Sequence, residues 1–245
     1  HKYVDRDMET KENEHTSPER LKVVGEKTKA LRTELSKVIV GQEDMIDLLL
    51  AALLSKGHVL IEGMPGIAKT LTAKLLAQSV SIEFKRIQLT PDLMPTDLIG
   101  TSFYNTKTAN FEFQKGPLFT QFALIDEINR APAKTQAALF EVMEEQQITF
   151  DGKKYPLESP FIVVATQNPI DQEGTYRLPE AQLDRFMLKI AISYPKEAEE
   201  TTLLKNYHSG NNSLPTSSVE SVLTAQELIA LQDIVAQVKV EDGLL

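Results

Sequence analysis

Apolar residues along this chain follow two rhythms. Leu21, Val24, Leu31, Leu35 and Val38 recur at helical spacing, and the strongly apolar stretch from Asp44 to Ser55 predicts a second helix. Against these stand short runs with almost no polar interruption: His58 to Ile61, Phe122-Ala123-Leu124-Ile125 and Phe161 to Ala165. A strand with one face in water alternates, so a continuous apolar run predicts a strand buried on both faces. Phe84 to Leu89 and Met187 to Ile192 are expected strands as well. Helices are predicted roughly over Thr70 to Ser79, Pro132 to Gln146 and Pro179 to Asp184, then over Pro195 to Tyr207 and Thr224 to Val238, the last two separated by a Ser/Asn/Gly-rich linker. Strands alternating with helices give an α/β fold, a parallel sheet of about five strands sandwiched by helices.

Two segments break this order. Phe103, Tyr104, Phe111 and Phe113 flank the polar turn Asn105 to Asn110 and predict an inserted β-hairpin, its aromatics serving hairpin packing. Ile148 to Phe150, the Asp151-Gly152 turn and Lys153 to Leu157 predict a second hairpin. Residues 1–20 read as a polar tail, 21–195 as the α/β core and 196–245 as a connecting helix with the start of a further helical domain. Opening on His1 rather than Met, and ending just after a helical pattern, raises the expectation of a shortened chain with C-terminal sequence missing.

Composition narrows the chemistry. The formal net charge is −9, which disfavours a protein that coats nucleic acid. There are no cysteines, so disulfides, Cys-based zinc sites and thiol catalysis are excluded. The longest apolar run, Met45 to Leu54, contains Asp47 and is far below the about 20 residues of a membrane span. Residues 1–20 lack the apolar core of a signal peptide, and the expected location is cytoplasmic. His15, His58 and His208 have no metal-ligand spacing, and His58, at a strand start, reads as structural.

The stretch Val59-Leu60-Ile61-Glu62-Gly63-Met64-Pro65-Gly66-Ile67-Ala68-Lys69-Thr70 carries the most chemistry. It has the layout of a phosphate-binding loop between a strand and a helix, with Ala68 where the strict pattern has Gly. Successive backbone N–H groups can cradle phosphates, Lys69 can reach the β- and γ-phosphates, and the Thr70 hydroxyl can hold Mg²⁺. The helix dipole points at the same anion. Asp126 and Glu127 end a buried strand; the first suits Mg²⁺ and the second an attacking water. A plainer reading is an acid pair at a helix start. Asn168, before Pro169 at the end of another buried strand, can reach the γ-phosphate or its water and also serve as an ordinary turn residue. Arg185 precedes the last strand and suits a finger on a neighbouring subunit's nucleotide, whereas the bland reading pairs it with Asp184 or Glu180. Arg130 and Arg177 are rival fingers.

Taken in order, Ile39-Val40-Gly41-Gln42, Gly63 to Thr70, Ile125-Asp126-Glu127-Ile128-Asn129-Arg130-Ala131-Pro132-Ala133-Lys134, Ala165-Thr166-Gln167-Asn168-Pro169 and Leu178-Pro179-Glu180-Ala181-Gln182-Leu183-Asp184-Arg185-Phe186 resemble the MoxR family of AAA+ ATPases. The resemblance covers about residues 21–245 and makes Ala68 an ordinary family variant. It implies a P-loop AAA+ core in which Val40, Gly41 and Gln42 lie near adenine, and Gly63, Pro65, Gly66, Ile67, Ala68, Lys69, Thr70, Leu71 and Asp126 complete the cofactor-binding set. It also implies Thr70 and Asp126 as the Mg²⁺ ligands, Glu127 and Asn168 as catalytic groups and Arg185 as the arginine finger. The two hairpins resemble the helix-2 insert and the pre-sensor-1 hairpin, and the final helix the start of a lid whose sensor 2 arginine has no counterpart here. Arg177 stands where the family usually has a less charged residue.

The implied activity is Mg²⁺-dependent ATP hydrolysis by a hexameric homo-oligomer that remodels or matures client proteins, with von Willebrand A domain proteins as candidate partners. Two alternatives differ in kind. A nucleic-acid motor would use Lys153 and Lys154 at the second hairpin's tip, which otherwise read as a solvated turn. A nucleotide-gated scaffold would bind ATP with negligible turnover.

Overall fold

The computed structural model describes residues 17–39, 41–63, 67–168, 175–192 and 218–238. The helices are α1 (Pro18–Ser36), α2 (Glu43–Leu54), α3 (Ile67–Ser79), α4 (Pro95–Ile99), α5 (Ala133–Glu145), α6 (Glu180–Leu183) and α7 (Ala225–Ala236). The strands are β1 (Val59–Glu62), β2 (Phe84–Gln88), β3 (Gly100–Asn105), β4 (Asn110–Lys115), β5 (Phe122–Asp126), β6 (Gln147–Phe150), β7 (Lys153–Pro156), β8 (Ile162–Gln167) and β9 (Leu188–Ala191).

Five strands form one parallel sheet in the order β2-β5-β8-β1-β9. Successive side chains of a strand point to opposite faces, so each apolar run supplies two cores at once. Val59, Ile61, Phe122, Leu124, Ile162 and Val164 join Leu31, Leu35, Ile46 and Leu50 on one face. Leu60, Ala123, Ile125, Val163 and Ala165 join Leu139, Phe140 and Met143 on the other. This is the reason the runs read as continuous. The architecture is the expected α/β sandwich of a P-loop AAA+ core, with five parallel strands.

Several boundaries move. Ser17 caps α1 by accepting from the Arg20 N–H, and Pro18 is pre-set for the first helical turn, so the helix begins inside the stretch read as a polar tail. α3 starts at Ile67 rather than Thr70, which sets Lys69 and Thr70 inside its first turn. The short α4 was not anticipated: its Pro95 at N1 and the Asp97 side chain accepting from Met94 N–H start it without any apolar periodicity. Of the segment assigned to a connecting helix and lid, 196–245, only 218–238 is described. There Leu228 and Leu231 of α7 share the core of α1 and α2, and Gln232 donates to Leu53 O at 2.7 Å. The predicted helix at Pro195 to Tyr207 lies outside the described residues.

Both hairpins form. Asp151 and Gly152 take φ of 48° and 72°, the positive pair that a two-residue type I′ turn demands. Gly100 opens the first hairpin at φ 115°, where an added Cβ would lie 2.3 Å from Gln114 O. Only Phe113 of the four hairpin aromatics packs between the hairpins, its ring 4.6 Å from those of Phe150 and Tyr155. Tyr104 and Phe111 meet each other across the strands and, with Phe103, remain exposed.

His58 shows how the sheet is tied to α5. Its Nδ1 accepts from Val163 N–H at 3.0 Å, leaving Nε2–H to donate to Met143 O at 3.3 Å. That assignment makes the ring neutral, and burial holds its pKa below the ordinary 6.5. As pH falls through that ordinary value, the unfolded chain takes up the proton and the folded one does not, so stability is lost on the acid side. Urea unfolding at pH 7.5 and pH 5.5 should show a loss of stability on the acid side that His58→Gln, though weaker at both pH values, does not share. Equal pH slopes in the two proteins would rule this out.

Candidate functional site

The C-terminal ends of β1, β5 and β8 lie side by side because these strands are parallel and adjacent, with Glu62 registered against Gln167 and Ile125 against Ala165. Ligands of open α/β sheets bind at such ends. One cavity opens there. Gly63 forms its base after β1, Lys69 and Thr70 enter from α3, and Asp126 and Glu127 from β5. Thr166, Gln167 and Asn168 enter from β8, and Arg86 and Gln88 from the edge strand β2. The backbone runs close at the base: a Cβ on Gly63 would stand 2.8 Å from Ile192 O.

Lys69 is 7% exposed, and its Nζ donates to Gly63 O at 2.7 Å. Burial lowers its pKa and the nearby Asp126 carboxylate opposes that shift. Asp126 is equally buried and both of its oxygens are engaged, Oδ2 by Arg86 Nε at 2.5 Å and Oδ1 by the Thr166 hydroxyl at 3.0 Å. Thr166 also accepts from Glu127 N–H at 3.1 Å. Glu127 sits at φ 56°, a left-handed conformation uncommon for a non-glycine residue, and so turns the chain sharply off β5 into the 3₁₀ turn Ile128–Arg130. Its carboxylate pairs with Arg130 Nε at 3.3 Å within the same chain. Beside the cavity, Glu62 accepts from Gln167 Nε2 and pairs with Lys189, each at 2.9 Å, and the Lys189 bond leads in holding its pKa down.

Thus Gly63, Lys69, Thr70, Asp126, Glu127 and Asn168, all candidate site residues of the sequence, line one cavity. Thr70 and Asp126 offer the oxygen donors that a hard divalent cation takes, and buried Lys69 at the start of a helix suits phosphate, so the residues present fit Mg²⁺ with a nucleotide. Among the described residues no group of three or more His, Asp or Glu is placed to hold a metal ion by itself.

Other expected site residues stand elsewhere. Leu71 is partly buried against the apolar core and does not line the cavity. Gly41, at φ 76°, and Gln42 precede α2 and do not border the cavity. Val40, Pro65 and Gly66 lie outside the described residues, and so do the side chains of Ile67 and Ala68. Arg185 is remote from its own chain's cavity; it pairs with Glu144 of α5, rather than with Asp184 or Glu180, in a separate hollow that His58 also lines. Arg177 is exposed.

Sequence reading missed Arg86, Gln88 and Thr166. Thr166 stood inside the quoted motif, next to the amide that drew notice. Arg86 and Gln88 carried only the weak signal of polar residues alternating with Ile87 on a strand.

Fold and cavity together define a P-loop α/β core of the AAA+ kind. Residues 58–188 match the model of the ATPase family associated with various cellular activities (AAA). The chain belongs to this AAA family, in its MoxR branch. It is 47% identical over 212 residues to "Chaperone MoxR1" of Mycobacterium tuberculosis, covering 86% of this chain and 55% of that protein. It is 47% identical over 210 residues to "Uncharacterized protein YeaC" of Bacillus subtilis, covering 86% of this chain and 65% of that protein. A crystal structure described as a "putative ATPase" from Cytophaga hutchinsonii superposes with a TM-score of 0.78 at 44% identity, over 91% of this chain and 69% of that one. The chain therefore spans 55–65% of the length of these two sequence relatives. Among the described residues, no helix is long and apolar enough to cross a membrane.

Proposed function

We propose that this chain binds ATP with Mg²⁺ and hydrolyses it in a ring of like subunits, and that the ring uses the energy to remodel or mature client proteins. The observation that carries this reading is the meeting of Lys69, Asp126, Glu127 and Asn168 at one cavity on the C-terminal ends of adjacent parallel strands. Lys69 and the N-terminal turn of α3 bind the phosphates. Thr70 and Asp126 hold the cation, which when bound neutralises phosphate charge. Glu127 orients and deprotonates water, and the Asn168 amide reports on the γ-phosphate from the end of β8. Arg185 serves the neighbouring subunit, because its own cavity is out of its reach.

Client action is supported by the likeness to the mycobacterial relative, which is named a chaperone. The exposed Phe103, Tyr104 and Phe111 of the first hairpin offer an apolar surface for such a contact. The test is ATPase rate against protein concentration, with native mass measurements with and without ATP. Rate per subunit should rise with concentration as the oligomer fills. A rate per subunit that is constant while the protein stays monomeric would overturn the shared-site reading. Turnover near zero with tight ATP binding in the assembled state would favour a scaffold.

A further inference from the structure

Asp126 is claimed twice. Its Oδ2 accepts from Arg86 Nε at 2.5 Å and its Oδ1 from the Thr166 hydroxyl at 3.0 Å. A cation that draws on this carboxylate must take the place that Arg86 holds, since Thr166 also anchors Glu127 N–H and is fixed within β8. Arg86 differs from Thr166 in being able to leave: it projects from an edge strand and its side chain is 53% exposed, whereas the Asp126 side chain is 10% exposed. Lys69 adds a second positive charge next to the same carboxylate. Among the described residues the other charged group lining the cavity is Glu127, whose carboxylate is paired with Arg130. A bare divalent cation therefore meets two cations and a carboxylate already paired, while a cation arriving with a triphosphate brings its own counter-charge.

We propose that Arg86 is a positioning residue that holds Asp126 as its counter-ion and thereby excludes a bare divalent cation, so that the metal enters only with the nucleotide's phosphates, toward which the released guanidinium then turns. This rests on the reading of the cavity as a nucleotide site. It assigns to β2 a part in the order of loading, distinct from the roles of Lys69 and Glu127.

The probe is Mn²⁺ alone, titrated into full-chain protein without nucleotide and followed by its electron paramagnetic resonance signal. Wild type and Arg86→Lys, which keeps the charge, should both bind it weakly. Arg86→Gln should bind it about tenfold more tightly or better, and Arg86→Gln combined with Asp126→Asn should lose that gain. Arg86→Ser supplies the same comparison should the Gln variant not fold. Equal Mn²⁺ binding by wild type and the uncharged variants overturns the proposal, as does a gain that survives Asp126→Asn. A purely structural Arg86 would not move metal affinity through Asp126. Binding of a non-hydrolysable ATP analogue in the presence of Mg²⁺, measured by equilibrium dialysis, keeps the two readings apart. Absence of analogue binding by wild type sinks the nucleotide reading and the ordered loading built on it. Intact analogue binding with unchanged Mn²⁺ affinity sinks only the role given to Arg86.

Discussion

Glu127→Gln is expected to bind ATP as wild type does and to lose about 100- to 10,000-fold of its turnover, the range that a positioned general base contributes. The substitution keeps the size and hydrogen-bonding shape of the side chain and removes its capacity to take a proton. Three local features hold Glu127 where that capacity counts. The backbone at φ 56° turns the residue off the end of β5, Thr166 holds its N–H, and Arg130 holds its carboxylate. None of these depends on the negative charge except the Arg130 pair, which is exposed on one side and worth little. The variant should therefore fold normally, and binding and catalysis should separate. Single-turnover hydrolysis and fluorescent-nucleotide titration on the same preparation measure the two. Full turnover in the variant would remove Glu127 from the mechanism, and loss of binding would make it a structural residue.

Arg185→Ala is expected to lower ATPase activity about 1,000-fold or more, the scale of arginine fingers acting in trans. Within one chain Arg185 is held by Glu144 on α5, and no element of the described structure brings it to the cavity lined by Lys69 and Asp126. Mixing is the discriminating experiment. Arg185→Ala and Glu127→Gln subunits are each inactive alone. In a co-assembled ring, an Arg185→Ala subunit still has its Glu127 and can receive Arg185 from its neighbour, so part of the activity should return. Co-assembly without recovery would refute action in trans. Should Glu144→Gln reproduce the whole loss seen for Arg185→Ala, the pair would be serving α5 and β9 rather than the chemistry.

Much of the site was legible because its parts are local. Asp126 and Glu127 follow a run whose five residues, Phe122–Asp126, are all buried, and a buried strand ending in two acids points to a strand-end site. The Asp151-Gly152 turn was legible for the same reason, since two adjacent positive φ values need those residue types. What escaped notice is what depends on partners far along the chain. Arg86 meets Asp126 across 40 positions and Arg185 meets Glu144 across 41, and nothing in the neighbourhood of either arginine announces its partner. Leu71 shows the converse: expected among the cofactor-binding residues, it packs against the apolar core.

By itself the sequence determined the alternation of buried strands and helices, the position of the phosphate-loop lysine and threonine, the acids at the end of β5 and the two hairpins. Each follows from spacing within one element or one turn, where backbone geometry ties residue type to conformation. The tertiary structure alone decided that β2 is the edge strand beside β5, that Arg86 and Thr166 close on the two oxygens of Asp126, that Arg185 lies apart from its own cavity, and that α7 shares the core of α1 and α2. Parallel strands must be joined by crossovers, so their order, and every charge pair that spans them, is set by how the whole chain packs and not by any stretch of it.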